Sequence, residues 1–459
     1  MMGIMYGANE EGSLEKFIRK TYAPALLGKK TRTVIIAVFL GIFTTGLALF
    51  PSVELGLDQR IAIPSDSYLI PYFNDLYDYF GTGPPVYFVT RELNVTQREH
   101  QQELCGRFLA CNEYSLPNIL EQERKRPEVS YIADSTAGWV DDFFYWLNPD
   151  FDQCCVDGSK TCFENRNPSW NITLSGMPEG NEFMYYLQRW LKAPTTAECP
   201  LAGAAAYSDA LVVDSSRTTI KASHFRTSHT PLRSQKDFID AYASARRIAH
   251  DISQRTGTEV FPYSKFYIFF DQYTSIVHLS CALLLSGLAI ILLLTTILLG
   301  SLQTGLVVTV TVAMTLTAII GTMAVANVSL NAVSLVNLVI CLGISLEFCA
   351  HIARAFSFPS ATVMERAPKH KFRGKDARAW TALVNVGGSV FSGITVTKFL
   401  GVFVLAFTRS KIFEVYYFRV WLALVVWAAL HALVFLPVAL SFFGGEGKSF
   451  LSFRGCKPC

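Results

Sequence analysis

Residues 334–356 read SLVNLVICLGISLEFCAHIARAF, an apolar run that carries a carboxylate and an imidazole in its second half. About 20 residues of helix cross the hydrocarbon core of a bilayer, so the length and composition of this run predict a membrane-spanning helix. Glu347 and His351 lie one helical turn apart within it. Because charge at membrane depth is costly, this pair is a functional hypothesis from the outset.

Five further windows of the chain are long and apolar enough to span a bilayer. With the opening helix, the predicted spans are 33–51, 276–299, 302–326, 332–353, 380–408 and 412–443. Only 17% of the 459 residues are charged, against about 25% in a typical soluble domain. The sequence therefore predicts a multi-pass α-helical membrane protein with six transmembrane helices. The net charge of +3 is too small to indicate a nucleic-acid partner.

Clusters of Lys and Arg predict the orientation of these helices, since basic loops stay in the cytosol. The clusters lie in residues 1–32, in the loop 356–378 and in the tail 444–459. All three are placed in the cytosol by one topology, in which residues 52–275 lie on the opposite side. The segment 276–443 is then a five-helix bundle.

The predicted lumenal segment 52–275 contains six cysteines and two glycosylation sequons. An even number of cysteines on this side indicates three disulfides. Its cysteines are Cys105, Cys111, Cys154, Cys155, Cys162 and Cys199, and its sequons begin at Asn94 and Asn171. Together these features indicate a glycosylated protein of the secretory pathway.

Strand-like and helix-like stretches alternate within that segment, which predicts an α+β domain. Residues 84–90, 210–227 and 258–264 have strand composition, and residues 234–257 have helical periodicity. The aromatic and acidic stretch 134–149 has two interpretations. It is an amphipathic helix that buries Trp139, Phe143 and Trp146, or it is a lipid-facing surface.

Glu347 shares one helical arc with Gly343 and His351, and Asn337 falls on the same arc. Gly343 lacks side-chain bulk, which leaves room for a neighbouring helix or water. Gly343, Ser345 and Asn337 are therefore candidates for helix packing at the site. The carboxylate and the imidazole favour proton uptake and release in an acidic compartment. The alternative is a buried hydrogen bond that only fixes helix packing.

Two other ionisable residues lie within apolar windows, Lys398 and His431. Lys398 lies about 18 residues from the cytosolic end of its helix, whereas Glu347 lies about eight residues from the cytosolic end of its own. At 1.5 Å per residue, the depths of the two residues should therefore differ by about 15 Å. We therefore expect no direct pair of Glu347 with Lys398 unless the helices are broken or strongly tilted. His431 is better matched in depth, and is a proton-coupling candidate or a histidine satisfied by a backbone carbonyl.

The sequence gives no indication of an enzyme or of a bound cofactor. It has no phosphate-binding loop, no zinc-spaced cluster of Cys and His, and no nucleophile elbow. We therefore predict no catalytic residue, no cofactor and no metal site.

Four long stretches resemble the Niemann–Pick type C sterol transporters, which are Patched-like members of the resistance–nodulation–division superfamily. The stretches are 54–89, 329–356, 389–407 and 417–442. The spacing of Gly343 and Glu347 is similar to a Gly-x-x-x-acid pattern in that superfamily. The resemblance runs along essentially the whole chain, but covers only the C-terminal half of such a transporter.

This resemblance implies sterol movement out of the lysosome or vacuole, linked to a proton gradient, with cholesterol or ergosterol as the ligand and membrane lipid around it. It also implies a ferredoxin-like lumenal domain with disulfides Cys105–Cys111, Cys154–Cys199 and Cys155–Cys162. The first half, with its sterol-sensing segment, would be a separate partner, and the partner of Glu347 would lie there. Two alternatives stay open: a Patched-like receptor for a protein ligand, and a truncated, non-functional fragment.

Overall fold

The computed structural model divides the chain into two compact units, a membrane unit and an extramembrane unit. It describes residues 12–91, 94–150, 154–158, 160–163, 167–169, 173, 175–214, 219–365, 367–368 and 372–446. The membrane unit comprises residues 1–70 and 275–459, and the extramembrane unit comprises residues 71–274. The second unit is therefore an insertion after the first membrane helix.

Six helices of the described chain are long and apolar enough to cross a membrane, as the sequence predicted. We number them span 1 to span 6: Lys29–Ala48, Ile276–Leu299, Leu302–Val325, Ala332–Ser357, Lys375–Phe407 and Phe413–Phe443. Spans 1 and 5 begin four and five residues earlier than their apolar windows. Basic residues such as Lys29 and Lys375 continue these helices, because Lys and Arg are good helix formers although they lower the hydropathy of a window.

Spans 3, 4 and 6 form the interior of the membrane unit, whereas spans 1, 2 and 5 are mostly exposed. Spans 5 and 6 are not continuous α-helices, because wider π-helical turns interrupt them. In span 5 the π-helical segment is Val390–Val396, followed by Thr397–Phe403 and a 3-10 turn Val404–Phe407. In span 6 such segments are Phe413–Arg419 and His431–Phe435.

Shorter helices accompany the spans in the membrane unit. The remaining helical segments of this unit are Ser13–Phe17, Ile18–Tyr22, Ala23–Leu26, Phe50–Ser52, Gln59–Ala62 and Ala361–Glu365, and Leu69–Tyr79 continues into the next unit. Span 1 is held at its beginning by an ion pair between Arg32 Nη1 and Asp376 Oδ1 of span 5, 2.8 Å apart. The same guanidinium donates to Ser441 Oγ in span 6, at 3.2 Å.

The extramembrane unit is built on a four-stranded antiparallel sheet with the order β4-β5-β1-β6. The strands are β1 (Pro85–Arg91), β4 (Leu211–Val213), β5 (Ile220–Ser228) and β6 (Val260–Tyr263), and a separate hairpin contains β2 (Val156–Asp157) and β3 (Lys160–Thr161). In chain order the sheet strands run 1, 2, 3, 4 and lie in space as 2-3-1-4. This is the ferredoxin-like arrangement that the resemblance implied.

Helices cover the sheet and complete the core of this unit. They are Arg98–Leu104, Leu116–Arg124, Pro127–Ser130, Trp139–Leu147, Gly180–Trp190, Gly203–Ala206, Gln235–Thr256 and Tyr267–Phe270, with a 3-10 turn Asp271–Thr274. The longest, Gln235–Thr256, begins at a capping box between Ser234 and Asp237. Trp139, Phe143 and Trp146 are buried. The amphipathic-helix interpretation of residues 134–149 is therefore confirmed.

Three disulfides join the six cysteines of the extramembrane unit. The pairs are Cys105–Cys111, Cys154–Cys199 and Cys155–Cys162, the pairing that the resemblance implies. Of the two predicted sequons, Asn94 lies in an exposed turn, and Asn171 lies outside the described residues.

A fully buried histidine, His229, follows β5 and makes two hydrogen bonds. Its Nδ1 donates to the Tyr131 carbonyl at 2.9 Å, because a carbonyl can only accept. Its Nε2 then accepts from the Tyr267 hydroxyl at 2.7 Å. Burial lowers the pKa of His229 from 6.5 to about 4, so the imidazole is neutral in the folded unit at neutral pH.

We predict that this histidine makes the extramembrane unit less stable in acid. Below pH 6.5 the unfolded state binds a proton that the folded state does not bind until about pH 4. The free energy of unfolding should therefore fall by about 2 kcal/mol between pH 7 and pH 5. Hydrogen–deuterium exchange of the β5 amides, corrected for intrinsic rates, measures this change. His229→Gln should flatten it, and His250→Gln, at an exposed position, should not. A pH dependence that survives in His229→Gln would assign the effect to other groups.

Candidate functional site

Span 4 is fixed at its beginning by a cap and one turn later by a buried amide. Asn331 Oδ1 accepts from the Ser334 backbone N–H at 3.1 Å, and Ser334 Oγ accepts from the Asn331 N–H at 2.8 Å. Asn337 is buried and joins span 4 to span 6. Its Nδ2 donates to the Tyr416 carbonyl at 2.9 Å, and its Oδ1 accepts from Trp421 Nε1 at 3.2 Å. These bonds fix the rotation of span 4 about its axis.

Glu347 forms an ion pair with Lys398 of span 5, in which the Lys398 ammonium donates to Glu347 Oε2. Lys398 Nζ also lies over the Phe348 ring, 5.2 Å from its centroid, in a cation–π contact. Two opposite charges within apolar helices therefore neutralise each other. This pairing is the expected solution for charges at membrane depth.

The prediction that Glu347 and Lys398 do not meet was therefore wrong, and Glu347 has an ion-pair partner on its own chain. That a further partner of Glu347 lies in the first half of the transporter stays a prediction. The prediction about the pair rested on counting depth along an uninterrupted helix at 1.5 Å per residue. The π-helical segment Val390–Val396 lies between the beginning of span 5 and Lys398. Span 5 is therefore not an uninterrupted α-helix, which is the condition under which the pair was considered possible. π-helical turns are frequent at functional sites.

Apart from Lys398, the face of span 4 that carries Glu347 is largely uncovered by the described residues. Glu347, Gly343 and His351 are all exposed, and a Cβ at Gly343 would meet no atom within 4 Å. His351 makes no hydrogen bond or ion pair with another described residue. Asn337 and Ser345 are buried and belong to the inner side of the helix. The predicted arc therefore has two parts. Gly343, Glu347 and His351 form an exposed part, the open stripe, and Asn337 lies on the buried side of the helix.

His431 does not reach this face. It is fully buried, its Nδ1 donates to the Trp427 carbonyl at 2.8 Å, and its ring packs edge-on against Phe39 of span 1 at 4.8 Å. Trp427 in turn donates from Nε1 to Thr322 Oγ1 of span 3 at 2.9 Å. These contacts agree with the interpretation of His431 as a histidine satisfied by a backbone carbonyl.

The ion pair is an electrostatic link between spans 4 and 5. Each charge stabilises the other, because either one alone would be costly in apolar surroundings.

Only one cluster of possible metal ligands occurs among the described residues, Cys105, Cys111 and Asp141. It does not fit a metal, because the two sulfurs are bonded to each other. Asp141 instead accepts from the backbone N–H groups of Gly106 and Arg107, at 3.0 Å each. Burial raises the pKa of Asp141, and these backbone bonds oppose the shift. The carboxylate thus fixes the loop that follows Cys105.

Comparison with known proteins gives relatives along nearly the whole chain. No family model matches. NPC intracellular cholesterol transporter 1 of Sus scrofa is 40% identical over 450 residues, which cover 95% of this chain and 34% of that protein. The chain is a homologue of part of the NPC cholesterol transporters. It spans about a third of the length of these relatives.

Other NPC relatives match over the same extent. NPC1-like intracellular cholesterol transporter 1 of Rattus norvegicus is 35% identical over 95% of the chain. NPC intracellular cholesterol transporter 1 homolog 1b of Drosophila melanogaster is 34% identical over 96% of the chain. The NPC homology therefore includes both units, and with them the span that carries Glu347 and the span that carries Lys398.

Proposed function

We propose that this chain is the C-terminal part, about a third by length, of an NPC-type transporter that moves sterol across or out of an intracellular membrane. The observation that carries the proposal is 40% identity over 95% of the chain to a protein named as an intracellular cholesterol transporter. The six spans and the disulfide-bonded ferredoxin-like unit are consistent with this function. Cholesterol or ergosterol is the proposed ligand.

The Glu347–Lys398 pair is the proposed point at which a proton gradient acts on transport. It supports the proposal because it joins two spans through ionisable groups within apolar helices. Glu347 would take up a proton from the acidic side and release it to the cytosol. His351, further along the same open face, would assist that release.

The open stripe of span 4 is the proposed contact with the first half of the transporter. Charges within membrane helices face the interior of a bundle or a water-filled cavity. Glu347 has 47% of its side chain exposed within this chain, so further protein should complete its surroundings. Gly343 lets a neighbouring helix approach closely there.

The proposed location is the lysosomal or vacuolar membrane, with the extramembrane unit in the lumen. The basic residues at the beginnings of spans 1 and 5 favour this orientation. Three disulfides suit an oxidising compartment, and Asn94 is exposed for glycosylation on the same side.

A chimera tests the function directly. The homologous third of an NPC cholesterol transporter is replaced by this chain in cells that lack their own transporter. We expect the chimera to restore sterol egress, measured as clearance of filipin-stained lysosomal sterol, and to reach the lysosome with mature glycans. A chimera that reaches the lysosome and clears no sterol would contradict the proposal. A chimera at the plasma membrane would favour the receptor alternative.

A further inference from the structure

An apolar groove of about 520 Å³ lies on the surface of the helix bundle of the membrane unit, between spans 1, 3 and 6. Its lining residues are Ile36, Gln303, Leu306, Val307, Val310, Lys375, Phe435, Ala439, Phe442 and Phe443. Eight of these ten are apolar. From Gln303 to Val310 the groove follows span 3 for about 10 Å. Its length along span 3 is therefore about a third of the thickness of a bilayer core.

The bilayer around the groove determines which kind of molecule can occupy it. Along the spans it faces the hydrocarbon of the bilayer, where water is absent. Its deep end, around Val310 and Phe435, offers no polar side chain. An acyl chain or another apolar molecule must therefore fill it.

The other end of the groove is polar and carries uncompensated positive charge. Lys375 and Gln303 line it, and both lie in the first turn of their spans. Among the described residues, Lys375 Nζ makes one hydrogen bond, to the Phe442 carbonyl at 3.4 Å, and no carboxylate there pairs with it. The neighbouring Asp376 is already paired with Arg32. The charge of Lys375 is therefore available to a ligand.

Further positive charge lies at the same end. Lys29 is seven residues before Ile36 in span 1, so the two side chains share one stripe of that helix. Lys29 is exposed two turns from the groove residue Ile36. Spans 1, 3 and 5 all begin at this end, and the N-terminus of a helix favours an anion. Span 6 ends there with the opposite dipole, which lessens this effect.

We propose that this groove binds one anionic phospholipid, whose acyl chain lies along spans 1, 3 and 6 and whose phosphate contacts Lys375 and Lys29. Basic pockets between membrane helices recognise anionic headgroups in this way. A sterol would fill the apolar part, but its hydroxyl would not compensate the charge of Lys375. The inference requires only that the six spans lie in a membrane, and is independent of sterol transport.

The membrane unit has a second groove, without charged residues, that can be compared with the groove at Lys375. It has a volume of about 480 Å³ between spans 1, 3 and 6. Its lining includes Thr45, Thr322 and Trp427 but no charged side chain. A lipid in this second groove should show no preference for an anionic headgroup. Selectivity therefore reports on the groove at Lys375.

Native mass spectrometry tests the proposal by measuring which lipid stays bound to the full chain. The chain is released from micelles that contain equimolar phosphatidylserine and phosphatidylcholine. One phosphatidylserine should be retained about fivefold more strongly than phosphatidylcholine, and Lys375→Gln should remove about that factor. Val310→Trp should reduce binding of the same lipid by filling the acyl part of the groove. Arg354→Gln is the matched control, since it removes an exposed basic residue at the end of span 4.

Four outcomes would overturn the proposal. They are equal retention of the two phospholipids, unchanged selectivity in Lys375→Gln, displacement of the lipid by an equal concentration of inorganic phosphate, and displacement by an equal concentration of cholesterol. The thermal midpoint of each variant in phosphatidylcholine alone shows whether it is folded. If Lys375→Gln is unfolded, Val310→Trp decides the outcome.

Discussion

Glu347→Gln should reduce sterol egress by the NPC chimera roughly a hundredfold, the lower end of the effect of removing a proton-transferring group. Glutamine keeps the size of the side chain and an oxygen that accepts from Lys398. It cannot ionise, so it can neither take up a proton nor neutralise Lys398. Filipin clearance measures egress, and expression and glycan maturation should stay normal. Normal egress in this variant would exclude a proton-coupling role for Glu347.

The double variant Glu347→Gln, Lys398→Met separates coupling from packing. If the ion pair only holds spans 4 and 5 together, removing both charges should restore activity, because no uncompensated charge is left. If Glu347 carries the proton, the double variant should stay as inactive as Glu347→Gln. Glu414→Gln is the matched control, since Glu414 is ion-paired with Lys411 at the beginning of span 6. It should keep most of the egress.

Gly46→Leu should destabilise the membrane unit by about 3 kcal/mol, the upper part of the usual range for overpacking. Gly46 of span 1 lies directly against span 3. A Cβ added there would lie 2.9 Å from the Thr317 carbonyl oxygen, and a Cβ at Gly321 would lie 3.0 Å from the Gly46 Cα. Small residues at such crossings let two membrane helices approach closely. The larger side chain must therefore separate the two spans.

Gly41→Leu provides the control for that substitution. Gly41 lies in the same helix, but a Cβ there would meet no atom within 4 Å. Both variants have the same change in composition and helix propensity, so only packing distinguishes them. The free energy of unfolding of each variant is measured by unfolding the chain in mixed micelles with increasing dodecyl sulfate. Equal stability of the two variants would show that the crossing at Gly46 is not tightly packed.

The sequence predicted the features that depend on local pattern. Apolar windows located all six spans, because a bilayer requires about 20 apolar residues wherever a helix crosses it. The strand composition of 84–90 and 210–227 placed β1 and β5, which pair over seven residues. Aromatic residues at helical spacing located the buried face around Trp139. Each of these features is fixed by residues close together in the chain.

The site was predicted less completely, since it depends on helix irregularity. Apolar composition does not distinguish the π-helical segment Val390–Val396 from α-helix, so the sequence did not show that span 5 is interrupted before Lys398. The sequence did contain one signal for the pair: Glu347 and Lys398 have opposite charges in apolar spans, and each needs a partner. The rotation of span 4 also depends on a distant contact, the bond from Asn337 to the Tyr416 carbonyl. Helical spacing alone placed Asn337 on the face of Glu347.

The strand order of the extramembrane unit has a consequence for how it can be handled and how it can evolve. β1 and β6 are antiparallel neighbours, with Tyr87 opposite Tyr263, so the chain enters the sheet and leaves it at the same end. A segment whose two ends are adjacent can be excised or exchanged with little disturbance to its host. We therefore expect this unit, with the helix Leu69–Tyr79 kept whole, to fold as a secreted module. A short linker can join the two parts of the membrane unit, so the same bundle can accept a different module in that position.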